Sequence, residues 1–435
     1  MSRFQPKAHD PALDRKFNQD LIWNYTGMVV MVLSGILVNL VVGGYYGVQG
    51  LGVFTQVYAL YAVASQFASG GLQYSALKHV AENAGDGREC SLVAWSAALL
   101  ALVVGGLVSM AVFLAGPVIG GVMDSEAVGL GISRAAPGLF FFGLNKVFLG
   151  VLNGMRHMRA FAVGQSLRYA LTIILVTIIS LLGLPAYALG TAFTLAEASL
   201  FVLLAIMVLT WAAPNARPVS AVWLKRHAVF GLKGFMSPLI VEMNIRMDVT
   251  VLGLFLADRQ VGIYSFAAMV AEGFANLLVV LRNNVNPILV PLVMGHRNAE
   301  IQAMFRRLAP KAYLGSMGLA LVSLALYRPA VQLVLGGGEF LECWPVMTIL
   351  LAGVVMNSGY VPFNFILIQA GQPGWHTMLA TMNLLTNLGL NLALIPLLGI
   401  YGSALGTAVA LVLSVLYLNF MVKQRLGFNF GLPLG

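Results

Sequence analysis

The sequence predicts an all-α integral membrane protein: twelve transmembrane helices in two six-helix lobes, related by a pseudo-two-fold axis around a central cavity. Three observations predict this fold: the hydrophobic composition, the regular spacing of apolar segments and an internal repeat. Hydrophobic residues make up 59% of the 435 positions and charged residues only 9%. Soluble proteins carry about 25% charged residues. Lipid is therefore the main solvent of this chain.

Apolar segments of helix length follow one another along the whole chain. A spanning helix needs about 20 mostly apolar residues, and no polar segment is long enough to form a separate soluble domain. The predicted spans are 21–44, 51–77, 91–115, 130–152, 160–184, 186–211, 231–257, 261–293, 312–335, 345–370, 374–398 and 400–422.

The distribution of Lys and Arg predicts the orientation, because cytoplasmic loops carry an excess of both. With a cytoplasmic N-terminus, seventeen Lys and Arg residues lie in cytoplasmic segments and only two, Arg259 and Arg328, lie in external loops. An even number of spans also places the C-terminus in the cytoplasm. The net charge of +9 mostly reflects this topology, so no nucleic-acid partner is predicted. The first twenty residues carry both signs and do not resemble a cleavable signal peptide.

An internal repeat divides the chain into two halves. "LLGLPAYALGTA" (181–192) aligns without gaps with "LLGIYGSALGTA" (397–408), and "VVGGYYGVQGLGVFT" (41–55) matches "VLGLFLADRQVGIYS" (251–265). Because each half has six spans, both enter the membrane with the same orientation and the axis runs along the membrane normal. The predicted parts are a cytoplasmic N-terminal segment 1–20, an N-lobe 21–211, a cytoplasmic linker 212–230, a C-lobe 231–422 and a cytoplasmic tail 423–435.

Charged residues inside the spans are the candidates for function. A charge at the bilayer centre costs at least about 2.5–3.5 kcal/mol, so such residues usually face a cavity or the bundle interior. Lys233 and Arg134 lie near span ends and are interpreted as interface residues, which can snorkel. The deeper candidates are four cations, Lys146, Arg168, Arg246 and Arg282, and four acids, Glu197, Glu242, Asp248 and Glu272.

The acids differ in their expected partners. Glu242 and Arg246 share a helix face at i, i+4 spacing, either as a structural pair or as a pair that frees its Arg for an anion. Asp248 lies about 200° around the helix from Arg246, so it needs water or a cation on another helix. Glu197 and Glu272 have no cation on their own helix face. They are candidate proton or sodium sites, or else neutral, hydrogen-bonded glutamates.

Enzyme and metal chemistry find little support in the sequence. All six histidines are predicted to be cytoplasmic or at a cytoplasmic edge, and neither Cys90 nor Cys343 has metal-ligand spacing. The Gly-rich "LGGGEF" (335–340) lacks the Lys and Ser/Thr of a nucleotide-binding loop. The sequence therefore predicts a transporter without a cofactor rather than an enzyme.

Four stretches resemble a known family: "GLGVFTQVYALYAVASQFASGGLQYSALKHVAE" (50–82), "MNIRMDVTVLGLFLADRQVGIYSFAAMVAE" (243–272), "LGGGEFLECWPVMTILLAG" (335–353) and "NLLTNLGLNLALIPLLGIYGSALGTAVA" (383–410). The second has the family's Arg-x-Asp, at Arg246 and Asp248, and its Gly-Ile-Tyr, at residues 262–264. The chain is similar to the polysaccharide-transport branch, the O-antigen flippase type, of the multidrug/oligosaccharidyl-lipid/polysaccharide exporter superfamily. The resemblance covers nearly the whole chain. The two extra spans of peptidoglycan-precursor flippases are not found in the sequence.

The resemblance implies a flippase of the bacterial cytoplasmic (inner) membrane. Its cargo would be an undecaprenyl-diphosphate-linked oligosaccharide, moved to the external leaflet by alternating access for O-antigen or exopolysaccharide synthesis. A glycan polymerase and a chain-length regulator would be its partners. The cavity would be cationic, with Arg246 and Arg282, then Lys146 and Arg168, binding the diphosphate. A cation-coupled multidrug exporter is the alternative; a glycan polymerase or ligase is a third class, which the short external loops disfavour.

Overall fold

The computed structural model describes residues 11–212 and 219–431, with side chains from residue 30 onward except at 32, 211 and 212. Residues 1–10, 213–218 and 432–435, which belong to the predicted N-terminal segment, linker and tail, lie outside the described ranges. All regular elements within those ranges are helical. The α-helices are α1 (Pro11–Ser69), α2 (Leu72–Glu82), α3 (Gly87–Val122), α4 (Glu126–Gly154), α5 (Met158–Leu181), α6 (Gly190–Met207), α7 (Ala221–Gly234), α8 (Met236–Phe255), α9 (Asp258–Met294), α10 (Asn298–Leu335), α11 (Cys343–Ser358), α12 (Ile366–Gln369), α13 (Pro373–Leu398) and α14 (Ile400–Leu426).

The number of membrane spans is close to the predicted twelve. In the described part of the chain, ten helices are long and apolar enough to cross a membrane, or eleven if α7 and α8, which meet at 42°, form one bent span. The first two predicted spans both fall in α1, which breaks at Gly47 with φ 66° and ψ −169°. Only glycine adopts that conformation readily. The break lies between the predicted spans 21–44 and 51–77, and the count of twelve stays a prediction.

Two predicted spans end earlier than expected. The second was predicted to reach residue 77, but α1 ends at Ser69 because Gly70 and Gly71 both have positive φ. The tenth was predicted to reach residue 370, but α11 ends at Ser358, and a 3₁₀ turn with Pro362 follows. Glycine and proline break these helices although the segments stay apolar.

Apolar cores show how the two halves meet. One large core draws on both halves of the chain, with members such as Leu51 and Leu139 from the first and Leu252 and Leu350 from the second. Two smaller cores each belong to one half: one is built around α2–α4, and the other around the later part of α9 with α10 and α14. The halves therefore share one large core, and each half also has a smaller core of its own.

The contact between α1 and α9 has the form expected at a two-fold axis. A Cβ added at Gly52 would collide with the carbonyl oxygen of Asp258, and one added at Gly262 would collide with the carbonyl oxygen of Val48. Positions 48 and 52 are the repeat equivalents of 258 and 262 in the alignment of residues 41–55 with 251–265. The contact is thus reciprocal, as in an isologous interface, and its glycines allow close backbone approach.

Polar side chains close the same interface, which is called the axis contact (residues 48–56 against 258–265). Thr55 Oγ1 donates to Ser265 Oγ at 3.0 Å, and these two residues are also repeat equivalents. Gln56 Nε2 and Ser125 Oγ both donate to the Asp258 carboxylate, at 2.7 and 2.8 Å. The two halves are therefore joined on the side predicted to be external.

Candidate functional site

The N-terminal half holds a buried ion pair beside an aromatic ring. Arg168 Nε on α5 lies 2.7 Å from Glu197 Oε1 on α6, and both side chains are almost fully buried. Asn145 on α4 donates to the other carboxylate oxygen, Glu197 Oε2, at 2.8 Å. The guanidinium of Arg168 and the ammonium of Lys146 both lie over the ring of Phe142, at 4.5 and 5.3 Å from its centroid.

This pairing corrects the interpretation of Glu197 as a lone carboxylate. The expectation considered only cations on its own helix face, whereas its partner comes from the neighbouring helix α5. The coupling role that the sequence suggested for Glu197 thus loses its premise.

In the C-terminal half, Glu242 and Arg246 pair along α8 as their spacing predicted. Arg246 Nε donates to Glu242 Oε1 at 3.2 Å, and both side chains are half-buried. The Arg246 guanidinium also lies 4.7 Å from the ring centroid of Tyr58 on α1. Arg246 therefore bridges a carboxylate of its own half and an aromatic ring of the other half.

Asp248 lies in a different environment, among neutral hydrogen-bond donors. Tyr264 and Thr407 donate to its Oδ2 at 2.8 Å each, and Asn387 and Asn391 donate to its Oδ1 at 2.8 and 3.1 Å. These donors come from α9, α13 and α14. Within the described residues Asp248 has no ion-pair partner, so of the two expected partners, water or a cation on another helix, the cation is not found. A buried carboxyl group held only by neutral groups has no counter-charge from the protein.

Two of the predicted cations lack a carboxylate partner among the described residues: Lys146 and Arg282. Lys146 lies over Phe142, and Arg282 lies over Phe365 with its carbon Cζ 4.0 Å from the ring centroid. The Nε atom of Arg282 is buried and makes no hydrogen bond within the described chain, and the same holds for Nη2 of the paired Arg168. Lys146 and Arg282 differ from Arg168 and Arg246 in having no carboxylate beside them in the described residues.

The structure brings seven of the eight predicted residues into one electrostatic cluster. Lys146 interacts with Arg168, Glu197 and, across the halves, Glu242. Glu272, which makes no hydrogen bond within the described chain, interacts with Arg246, Asp248 and Glu242. Arg282 is the exception, placed near the other end of α9. The cluster holds three cations and four acids, and the cationic cavity that the resemblance implies stays a prediction.

Several residues of the site were not predicted from the sequence. The rings of Tyr58, Phe142 and Phe365 support the cations, because a cation over a ring face is stabilised by the ring quadrupole. The donors Asn387 and Asn391 belong to a stripe with Asn383 at four-residue intervals along α13. That spacing places three amides on one face of an apolar span, a signal that the sequence does contain.

A protein-family model described as "Polysaccharide biosynthesis protein" matches residues 17–293. The chain belongs to this family. The match includes all of the first half and the beginning of the second, through α8 and α9, with all eight predicted site residues inside it. The resemblance expected from the sequence is thereby confirmed at the level of the superfamily.

One curated protein is similar to part of this chain. The chain is 25% identical over 190 residues to a probable low-salt glycan biosynthesis flippase, Agl15, of Haloferax volcanii; the alignment covers 42% of this chain and 39% of that protein. The chain thus spans well under half the length of this curated relative.

Solved structures share the fold. An inward-facing multidrug resistance MATE family transporter matches with a TM-score of 0.76 at 14% identity, over 91% of this chain and 94% of that one. The lipid II flippase MurJ in an inward closed conformation matches with a TM-score of 0.75 at 14% identity, over 92% and 87%. This member of the polysaccharide biosynthesis protein family thus has an all-α transporter fold, as predicted.

Proposed function

We propose that the protein is a flippase for a lipid-linked glycan, with a polyprenyl-diphosphate-linked oligosaccharide as its cargo. The cargo moves from the cytoplasmic to the external leaflet of a bacterial inner membrane by alternating access, for O-antigen or exopolysaccharide synthesis. The observation that carries this proposal is the pair of span cations without acid partners, Lys146 and Arg282. A diphosphate is an anion of the kind that buried Arg and Lys bind.

The arrangement of the halves supports a route from the predicted cytoplasmic side. The axis contact joins the halves at the other side, and each half has a core of its own; we infer a space for the head group between these two cores. The head group enters this space and meets Lys146 from one half and Arg282 from the other. The apolar polyprenyl tail stays in lipid. Breaking the axis contact then opens the opposite side.

Coupling to an ion is proposed for the carboxylates of the second half. The carboxyl group of Asp248 is surrounded by neutral hydroxyls and amides, and Glu272 makes no hydrogen bond within the described chain. Either could take a proton or a sodium ion, whereas Glu197 is occupied by Arg168. The electrostatic coupling within the cluster would let ion binding at these acids alter the field on Arg246.

The double substitution Lys146→Gln, Arg282→Gln tests the function. We expect at least a tenfold loss of surface glycan in complemented cells and of head-group transfer in proteoliposomes, since each charge-assisted contact to phosphate contributes about 1.5–3 kcal/mol. The matched control is Arg306→Gln, Arg307→Gln, which removes two exposed cations from α10. Normal glycan transfer by the double variant would overturn the proposal. Export of cationic drugs without glycan transfer would identify the alternative, a multidrug exporter.

A further inference from the structure

Helix α7 joins the two halves and has two distinct faces. Its inner face packs against α2 and α3 of the first half through Trp223, His227 and Gly231, which are buried at four-residue intervals. Trp223 Nε1 donates to Glu89 Oε1 at 2.7 Å, and His227 Nδ1 lies 2.8 Å from Ser75 Oγ. The helix then bends by 42° into α8 of the second half. Anything that holds α7 therefore acts on both halves.

The outer face of α7 is apolar and basic at once. At 100° per residue, its outward residues and the next one in α8 fall within an arc of about 120°. Apolar Val222, Leu232 and Met236 are exposed by 60%, 70% and 47%. The remaining members of this outer face are Lys225, Arg226, Val229 and Lys233, all exposed.

A cavity of about 450 Å³ lies along this face, lined by both kinds of side chain: His79, Val222, Lys225, Arg226, Val229, Phe230 and Lys233. Lys78 on α2 extends over the ring of Phe230, with its Nζ 5.3 Å from the centroid, and also pairs with Glu82 at 3.7 Å. The lining of the cavity therefore combines basic and apolar side chains.

The charges of this face lack counter-charges from the protein. Helix α7 contains no Asp or Glu, and in the described chain none of Lys225, Arg226 and Lys233 forms an ion pair with an acid. An amphipathic helix with this pattern lies at a membrane surface, with its apolar residues in the acyl boundary and its cations at anionic headgroups. The predicted orientation places α7 at the cytoplasmic leaflet.

We propose that the outer face of α7 binds the headgroup of an anionic phospholipid of the cytoplasmic leaflet. The phosphate lies against Lys225, Arg226 and Lys233, and the beginning of the acyl chains lies on Val222 and Val229. This site is separate from the proposed cargo site, because its lining residues belong to α2 and α7, whereas Lys146 lies on α4 and Arg282 on α9. A bound lipid fixes the helix that connects the halves.

The test uses the full-length protein in liposomes of phosphatidylcholine with a minor fraction of spin-labelled phosphatidylglycerol. We expect the triple variant Lys225→Gln, Arg226→Gln, Lys233→Gln to lose the preference for phosphatidylglycerol by about 100-fold, because each cation near an anionic lipid contributes about fivefold. The matched control Arg306→Gln, Arg307→Gln, Lys311→Gln removes three exposed cations from α10 and should keep the preference.

Equal losses in both triple variants would mean only general surface attraction and would overturn the site, as would an unchanged preference in the α7 variant. A second variant, Val222→Asn, Val229→Asn, keeps every cation. It distinguishes binding of a lipid from binding of free phosphate. It should weaken binding of the lipid while leaving binding of inorganic phosphate unchanged. Full retention of lipid binding in this variant would also contradict the proposal, since charge alone would then suffice.

Discussion

Two buried carboxylates, one in each half, are stabilised in opposite ways. Glu197 in the first half meets the guanidinium of Arg168 at 2.7 Å and the amide of Asn145. Asp248 in the second half meets two hydroxyls and two amides and no cation among the described residues. The first arrangement neutralises its charge within the protein. The second surrounds its carboxyl group with neutral dipoles and supplies no counter-charge.

The difference separates a structural role from a functional one. A closed ion pair is stable only while both partners remain, because removing one leaves a buried charge alone. A carboxylate among neutral donors can exchange its surplus charge for a proton or a metal cation with little rearrangement. The first half therefore presents a fixed element at this depth, and the second half presents one that can respond to an ion.

Breaking the fixed pair should give the largest effect. We expect Arg168→Gln to lower the free energy of unfolding by about 3–5 kcal/mol, because Glu197 is then left buried without a cation. Thermal unfolding of the purified protein in detergent measures the loss. The double variant Arg168→Gln, Glu197→Gln should recover much of it; a double variant as unstable as the single would show that the pair does not interact in this way.

Neutralising Asp248 should affect transport more than stability. Asp248→Asn keeps the shape and an acceptor for Asn387 and Asn391, so the unfolding midpoint should stay near that of the unaltered protein. Transport in proteoliposomes should fall about tenfold or more and lose its dependence on a proton or sodium gradient, which corresponds to about 1.4 kcal/mol of lost cation binding. Gradient-dependent transport at the normal rate would refute the coupling role.

Removing the hydrogen bond that holds Asn391, one of the donors to Asp248, should give a smaller effect. Ser403 Oγ donates to Asn391 Oδ1 at 2.7 Å, and both residues are fully buried. Ser403→Ala removes this bond and leaves the amide oxygen of Asn391 short of a donor, which should lower the free energy of unfolding by about 1 kcal/mol. Thermal unfolding again measures it, and Ser34→Ala, a buried serine outside this network, is the comparison.

The smallest effect is expected at the half-buried pair on α8. Glu242→Gln removes the negative partner of Arg246, which should then bind a diphosphate about twofold more tightly, since partly exposed pairs contribute about 0.5 kcal/mol. Titration of the purified protein with polyprenyl diphosphate measures the affinity. Weaker binding in this variant would mean that Glu242 positions Arg246 for the anion instead of competing with it.

Much of the fold could be predicted from the sequence, because hydrophobic length and the Lys and Arg bias are properties of whole segments. The break between the first two spans and the pair Glu242–Arg246 also follow from local rules. The early ends of α1 and α11 could not be placed by hydropathy, since Gly70, Gly71 and Pro362 interrupt helices inside segments that remain apolar.

The site was predicted less completely, because its partners come from different helices. Sequence spacing finds contacts along one helix, so it found Arg246 for Glu242 but not Arg168 for Glu197. It also counted charges without their pairing. The four-residue Asn spacing in α13 shows that some of the missing information, the donors to Asp248, was readable as a helical stripe.

The contact of Gly52 with the backbone around Asp258, and of Gly262 with the backbone around Val48, has a consequence for how such a duplicated chain can diverge. Elsewhere the halves are free to acquire different residues, as Glu197 and Asp248 illustrate. On the axis each half packs against the other's equivalent, so a larger side chain in one half cannot be absorbed by the other without a change there too. At this contact the constraint shared by the two halves lies in the backbone, because a side chain at either Gly52 or Gly262 would collide with the main chain of the other half.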